Sequence, residues 1–230
     1  MNDALVLVRQ LHQEIHAVEH RIRHHPYFKA LEARKFEPID LQYFIGEQRY
    51  IISSDLRGLA LLISRCEQLE SQLFFQDILK GEFLALDALE SLASAVGMAK
   101  AERETYEPEP GAQAYSTYMS WLCLYGSDAE VAAALSINLA TWGANCARMA
   151  RALQNLYGFK EPDLEFFSRF AESPVEMSSA ALAIIEAGLE RGIAPRRIQR
   201  AARMIQGYEL LFWDTVYKLS VGEEERWVIE

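Results

Sequence analysis

Four of the five histidines, His12, His16, His20 and His24, are spaced by four. On a helix that spacing stacks neighbours one above the other. Two such imidazoles can chelate a metal ion, and one can ligate haem iron. A plainer reading competes. Each step of four drifts about 40° round the axis, while Leu7, Val8, Leu11, Ile15, Val18 and Ile22 recur at helical spacing as the apolar stripe. His12 then borders that stripe, and His16, His20 and His24 rotate toward water. The segment reads as a solvated histidine face mixed with Gln13, Glu14 and Glu19, without a metal.

Near the other end, Glu209 stands among Ile205, Leu210, Leu211 and Phe212. A carboxyl buried among apolar groups is costly when ionised, so its pKa rises, and that is how a general acid is made. Tyr50, Tyr115 and Tyr118 offer hydroxyls, and Trp142 and Trp213 offer planar faces for stacking. Asn138 and Asn145 lie seven apart on a mostly apolar segment and so share a helical face. A buried amide needs partners, drawn from neighbouring helices or from a ligand. Cys66, Cys123 and Cys146 are odd in number, far apart and in no CxxC pair. A disulfide framework and a zinc site are excluded, and a reducing cytoplasm suits them. Cys146 reads as a small packed hydrophobe. Arg196, Arg197, Arg200 and Arg203 read as a solvated face that pairs with acidic neighbours.

Long helices must position these groups. Only 12 glycines and 7 prolines punctuate 230 residues, and no stretch alternates with period two. Helices are expected over 3–24 and briefly over 27–33. The next runs over 41–66, with Phe44, Ile45, Ile52, Leu56, Leu59, Leu62 and Ile63 as its stripe. Ser71 is expected to cap a helix over 72–96, and 98–111 reads as a loop. Further helices are expected over 112–125, 129–157, 162–171, 174–191 and 196–219. The span 131–144 carries no charge, which places it centrally in a bundle. Trp227, Val228 and Ile229 in the 222–230 tail dock or fray.

Composition narrows the partners. Lys plus Arg total 23 against 33 Asp plus Glu, a net charge of −10, which repels a polyphosphate backbone and argues against a nucleic-acid partner unless basic residues cluster. No apolar run approaches the ~18–20 residues of a membrane span. The first ten residues have no basic segment followed by an apolar core, so no secretory signal is expected.

Four segments carry a family resemblance. His25-Pro26-Tyr27-Phe28 with Leu31 follows the first helix. Phe44-Ile45-Gly46-Glu47-Gln48-Arg49-Tyr50 opens the second long one, and Ala114-Tyr115-Ser116-Thr117-Tyr118-Met119 follows the proline-rich loop. Tyr208-Glu209-Leu210-Leu211-Phe212-Trp213-Asp214-Thr215-Val216-Tyr217 lies on the last helix. In order and spacing they resemble the TenA-like branch of the haem-oxygenase-like superfamily, which also holds PqqC and haem oxygenase. The resemblance implies an all-α, haem-oxygenase-like bundle of about eight helices, one domain over 1–230, around an internal small-molecule pocket. It implies a homodimer or homotetramer and a link to the aminopyrimidines of thiamine salvage.

Members with thiaminase activity use a cysteine nucleophile, an aspartate on the pyrimidine, tyrosines and a C-terminal glutamate. The glutamate matches Glu209. The aspartate falls on Gln48, with Glu47 just before it. The cysteine lies two residues before a tryptophan, so Trp142 puts Ala140 there; the tyrosine four residues further falls on Ala144, and a later one near Phe167 or Phe170. The expectation is a ligand-binding pocket in which Glu209 is the catalytic group. Glu47, Gln48, Tyr50, Tyr115, Tyr118, Asn138, Trp142, Asn145 and Trp213 line it, with no cofactor and with activity diverged from a thiaminase. Iron-dependent relatives pair a glutamate with a histidine about a turn later. Glu82 is followed by Leu86 and Asp87, and no histidine occurs after His25. The alternatives are an aminopyrimidine hydrolase using Glu209, a haem or tetrapyrrole binder with His12 or His16 proximal, and a non-catalytic regulatory protein.

Overall fold

Asp3–Arg23 forms α1 because its apolar residues recur at three and four; Ala4, Leu7, Leu11, Ile15 and Ile22 are buried. The computed structural model describes residues 3–171 and 175–222. The helix start expected at Pro174 and the docking of Trp227, Val228 and Ile229 lie outside the described residues. Pro26 ends α1 and occupies the first position of α2 (Pro26–Glu32). His25 caps α2: its Nδ1 accepts the Tyr27 N–H at 3.2 Å.

Two long helices follow, α3 (Leu41–Arg65) and α4 (Leu69–Ala95), packed against each other. The expected cap at Ser71 is corrected. The helix begins at Leu69, and Ser71 is buried in its first turn, where its hydroxyl donates to Asp128 at 2.7 Å. The stretch expected as a loop holds a short α5 (Lys100–Glu104), started by a Glu102 carboxylate that accepts the Ala99 N–H at 2.6 Å. The next helix, α6 (Pro110–Tyr125), starts two residues earlier than expected. Proline is favoured at that first position, where a missing N–H costs nothing.

The central helix, α7 (Asp128–Tyr157), buries every residue from Ala129 to Leu135. Ser127 and Glu130 form a reciprocal cap at its start, and Gly158 closes it at φ +76. Beyond a 3₁₀ turn at Glu161–Leu164 come α8 (Glu165–Ala171), α9 (Val175–Glu190) and α10 (Pro195–Val221). The molecule is all-α, with no strand among the described residues. Of the ten described α-helices, α2, α5 and α8 are short. None of the described helices is long and apolar enough to cross a membrane.

Packing places α7 against α10, α9 and α8, while α3 lies between α4 and α6. An aromatic cluster fills the middle: Phe44, Trp142, Phe166, Phe212 and Trp213 lie with ring centroids about 5–6 Å apart. At Gly46, a Cβ would stand 2.5 Å from the Tyr106 ring. The missing side chain lets Tyr106 lie against α3, where its hydroxyl donates to Glu47 at 3.0 Å.

Candidate functional site

The buried face of α10 runs through Ile198, Ala201, Ala202, Ile205, Glu209, Phe212, Trp213 and Val216. Glu209 is therefore carried into the core by the same periodicity that buries Ile205 and Phe212. It is 2% exposed. Its Oε1 accepts the Trp213 indole N–H at 3.2 Å, and its Oε2 accepts the Asn138 amide at 2.8 Å. The Asn138 oxygen in turn accepts the Tyr115 hydroxyl at 2.9 Å. Burial outweighs these hydrogen bonds and pushes the Glu209 carboxyl up to about 8. Near neutral pH the group holds a proton that it can donate.

A cavity of about 50 Å³ adjoins this carboxyl, room for roughly three or four waters. From α3 come Gln48, Ile51, Ile52 and Asp55; from α4, Ile78 and Glu82; from α6, Tyr115. The other wall is Leu135, Asn138, Leu139 and Trp142 of α7, Phe170 of α8, and Glu209 and Phe212 of α10. Among the described residues no Lys, Arg or His lines it. A groove of about 690 Å³ lies alongside, and Ile78, Glu82, Leu139 and Phe170 belong to both walls.

Of the residues expected at the site, Gln48, Tyr115, Asn138, Trp142 and Glu209 line this cavity. The others stand elsewhere. Glu47 is fully buried and accepts from the Tyr106 hydroxyl, the Glu109 N–H and the Gln113 amide, so it pins the start of α6. Tyr50 is 38% exposed, its hydroxyl donating to the Tyr106 carbonyl at 3.1 Å. Tyr118 packs on Trp121 and Tyr208. Asn145 is buried outside the cavity wall with its amide nitrogen unpartnered. Trp213 is fully enclosed by aromatic neighbours and serves Glu209 as a hydrogen-bond donor.

The register anchored on Trp142 also needs correction. Ala140 and Ala144 are exposed, so neither position faces Glu209; the α7 residue that does is Asn138. None of the three cysteines lines the cavity, and burial pushes their thiols up, Cys66 to about 11, Cys123 to about 12, and Cys146 well above its usual range. With no cysteine on its wall and every thiol raised, the cavity has no thiolate nucleophile.

Sequence reading missed Asp55 altogether. Its one signal is position: it follows Gln48 by seven and Ile52 by three, on the face that lines the cavity. Burial, and then the charge of Glu82, hold the Asp55 carboxyl well above the usual range, and burial pushes Glu82 up to about 7. His25 opens the first of the four family-like segments. It is buried, its Nε2 donates to Asp214 at 3.0 Å, and burial lowers its pKa. The histidine ladder is exposed throughout, with His20 and His24 stacked at 4.1 Å. Among the described residues no three His, Cys, Asp or Glu side chains are grouped to hold a metal ion. The donor set does not fit the glutamate–histidine pairs of iron-dependent relatives. Of the arginine cluster, Arg197 pairs with the buried Glu130 at 2.8 Å.

The family model described as TENA/THI-4/PQQC matches residues 12–219. A 4-aminobenzoate synthase of Chlamydia muridarum is 26% identical over 168 residues, 70% of this chain and 71% of the relative. A Shewanella denitrificans domain of unknown function with a heme oxygenase-like fold superposes with a TM-score of 0.73 at 14% identity, covering 91% of each chain. A putative TenA-like thiaminase from Sulfolobus solfataricus superposes at 0.69 with 12% identity, covering 92% of this chain and 95% of its own. These solved structures are similar to this chain in fold: it has the haem-oxygenase-like bundle.

Proposed function

The chain belongs to the TENA/THI-4/PQQC family, and from that premise we propose that it binds a small planar nitrogen heterocycle of the aminopyrimidine kind, without the covalent step of a cysteine-dependent thiaminase. The observation that carries this reading is the Glu209 carboxyl, held between Trp213 and Asn138 beside a cavity. A carboxyl pushed up to about 8 can give a proton to a ring nitrogen near neutral pH, and its oxygens can accept a hydrogen bond from an exocyclic amine. Gln48 and Asn138 supply amide donors and acceptors on the facing walls. The inner cavity takes the polar edge of the heterocycle, and the adjoining groove takes the rest.

The same group supports a second reading, aminopyrimidine hydrolysis with Glu209 as acid and base and water as nucleophile. An aromatic acid such as 4-aminobenzoate is disfavoured, because three carboxyls and, among the described residues, no cationic side chain line the cavity. A tetrapyrrole is disfavoured by its size and by the outward-facing histidines. The 1–230 chain is read as one cytoplasmic domain. Exposed Leu61, Trp121, Leu124 and Tyr125 on α3 and α6 favour a homodimer or homotetramer.

Titration calorimetry with a hydroxymethyl-substituted aminopyrimidine tests the reading. Saturable binding is expected, weakened about tenfold in Glu209→Gln, which corresponds to about 1.4 kcal/mol. Absence of binding by a panel of aminopyrimidines would overturn it. Release of ammonia from an amino-substituted member, abolished in the same variant, would establish the hydrolase.

A further inference from the structure

Asp55 and Glu82 make no contact assigned to the heterocycle. They reach the cavity from adjacent helices, α3 and α4. Asp55 is 8% exposed, and its Oδ1 is buried with no hydrogen-bond partner. Leaving such an acceptor unpaired in a low-dielectric site is costly, so the position calls for a donor. No cationic side chain of the wall supplies one.

The adjoining groove has the same sign. Among the described residues its charged wall is Glu70, Asp77, Glu82 and Arg169. Arg169 is engaged by Glu165 and Asp77 by Lys80, which leaves Glu70 and Glu82 facing the groove. The rest of that wall is largely apolar, with Leu73, Phe74, Ala85 and Met177.

Size divides the occupant between the two spaces. About 50 Å³ admits an ammonium group with a water but no ring, while the 690 Å³ groove admits a hydrocarbon body of ten or so atoms. A metal ion needs three or more ligands already grouped, and none are so grouped among the described residues. A primary ammonium needs only acceptors along its three N–H bonds. Asp55 and Glu82 provide two, because a cation beside them offsets the burial that otherwise keeps their carboxyls protonated; the oxygen of Tyr115, on the same wall with its proton donated to Asn138, provides a third.

We propose that Asp55 and Glu82 form an ammonium subsite, which seats the head of an amphipathic primary amine whose apolar body lies in the groove between α4, α8 and α9. This rests on the reading that the cavity is a binding site, and not on the heterocycle assigned to Glu209. It adds charge as a criterion for the ligand: a cationic amine is taken and its neutral isostere refused.

Benzylamine and benzyl alcohol are the probes, matched in shape and different in charge. Calorimetry on the full chain is expected to give saturable benzylamine binding, with benzyl alcohol at least tenfold weaker. Asp55→Asn is expected to weaken the amine at least tenfold and to leave the alcohol unchanged, with circular dichroism to verify the fold. Glu82→Gln is a second variant with the same expected result, and it carries the test if Asp55→Asn fails to fold. Equal affinity for amine and alcohol, no amine binding, or amine binding that survives in the folded variants would overturn the subsite. A hydroxymethyl-aminopyrimidine titrated in parallel separates the two readings. If it binds and the amine does not, the Glu209 reading stands and the subsite falls. The reverse leaves the subsite standing alone.

Discussion

The Asn138 amide donates to Glu209 Oε2 at 2.8 Å, across the contact between α7 and α10. Its oxygen is taken by the Tyr115 hydroxyl, so both ends of the amide are used and its orientation is set. Asn138→Ala removes the donor to a buried carboxyl and the acceptor of a buried hydroxyl together. Each orphaned group costs about 1–3 kcal/mol. The variant is expected to lose roughly 2–4 kcal/mol in urea denaturation at pH 7, more than the missing packing alone accounts for. A loss under about 1 kcal/mol would show that the chain from Tyr115 to Glu209 is not formed.

Stability should depend on pH in a direction these carboxyls dictate. Glu209 is raised from 4.5 to about 8 in the fold, and Glu82 from 4.5 to about 7. Between those limits the native state holds protons that the unfolded chain has released. Stability therefore falls as pH rises through that window. Glu209→Gln removes its own share. Relative to the native chain the variant should gain stability steadily from pH 5 to pH 8, by on the order of 3 kcal/mol at the upper end. His25, whose pKa is lowered, contributes the opposite slope below its unfolded value of 6.5 in both proteins and cancels in the difference. A pH-independent difference would mean that Glu209 is ionised throughout.

The elements were legible because periodicity and breakers agree along most of the chain. Pro26, Pro162 and Pro195 stand at helix starts, and Gly158 at a helix end. The site was legible where one helix alone decides burial. Glu209 follows from the apolar face of α10, and Asn138 from the face of α7. It was illegible where the neighbour decides. Tyr50 belongs to a site-like motif but leans on the Tyr106 carbonyl at the surface. Glu47 is spent on the start of α6 because a glycine beside it lets Tyr106 approach. Asp55 gives no local sign beyond its spacing from Gln48 and Ile52, since its burial depends on α4 crossing it with Glu82. The exposure of Ala140 is a matter of helix rotation, which a single tryptophan does not anchor.

Thiol chemistry offers a direct contrast with a cysteine-dependent enzyme. Cys123 and Cys146 are fully buried, and all three thiols are raised by burial. Native protein at pH 7.5 is expected to react with a disulfide reagent at least about 100-fold more slowly than after denaturation, given how few molecules are thiolate at that pH. Replacing Cys146 by Ala should leave aminopyrimidine binding within about twofold. A single fast-reacting thiol whose modification blocks binding would contradict this.

Phe170 belongs to the walls of both the inner cavity and the outer groove. It is half-buried and packs edge-on against Trp142 at 6.0 Å and against Phe166 at 5.3 Å. A ring in that position limits both the width of the passage and the rate at which a ligand passes. Phe170→Ala removes the obstruction and two aromatic contacts of about 0.5–1.5 kcal/mol each. The expected result has two parts. Stopped-flow mixing should show faster association for any ligand that reaches Glu209, because the entry step is relieved. Dissociation should speed up by more, because the bound ligand loses an aromatic wall, so affinity falls. Phe170→Leu, which keeps most of the bulk, should lie between. Unchanged association in both variants would place the entrance elsewhere in the bundle and make Phe170 a packing residue only.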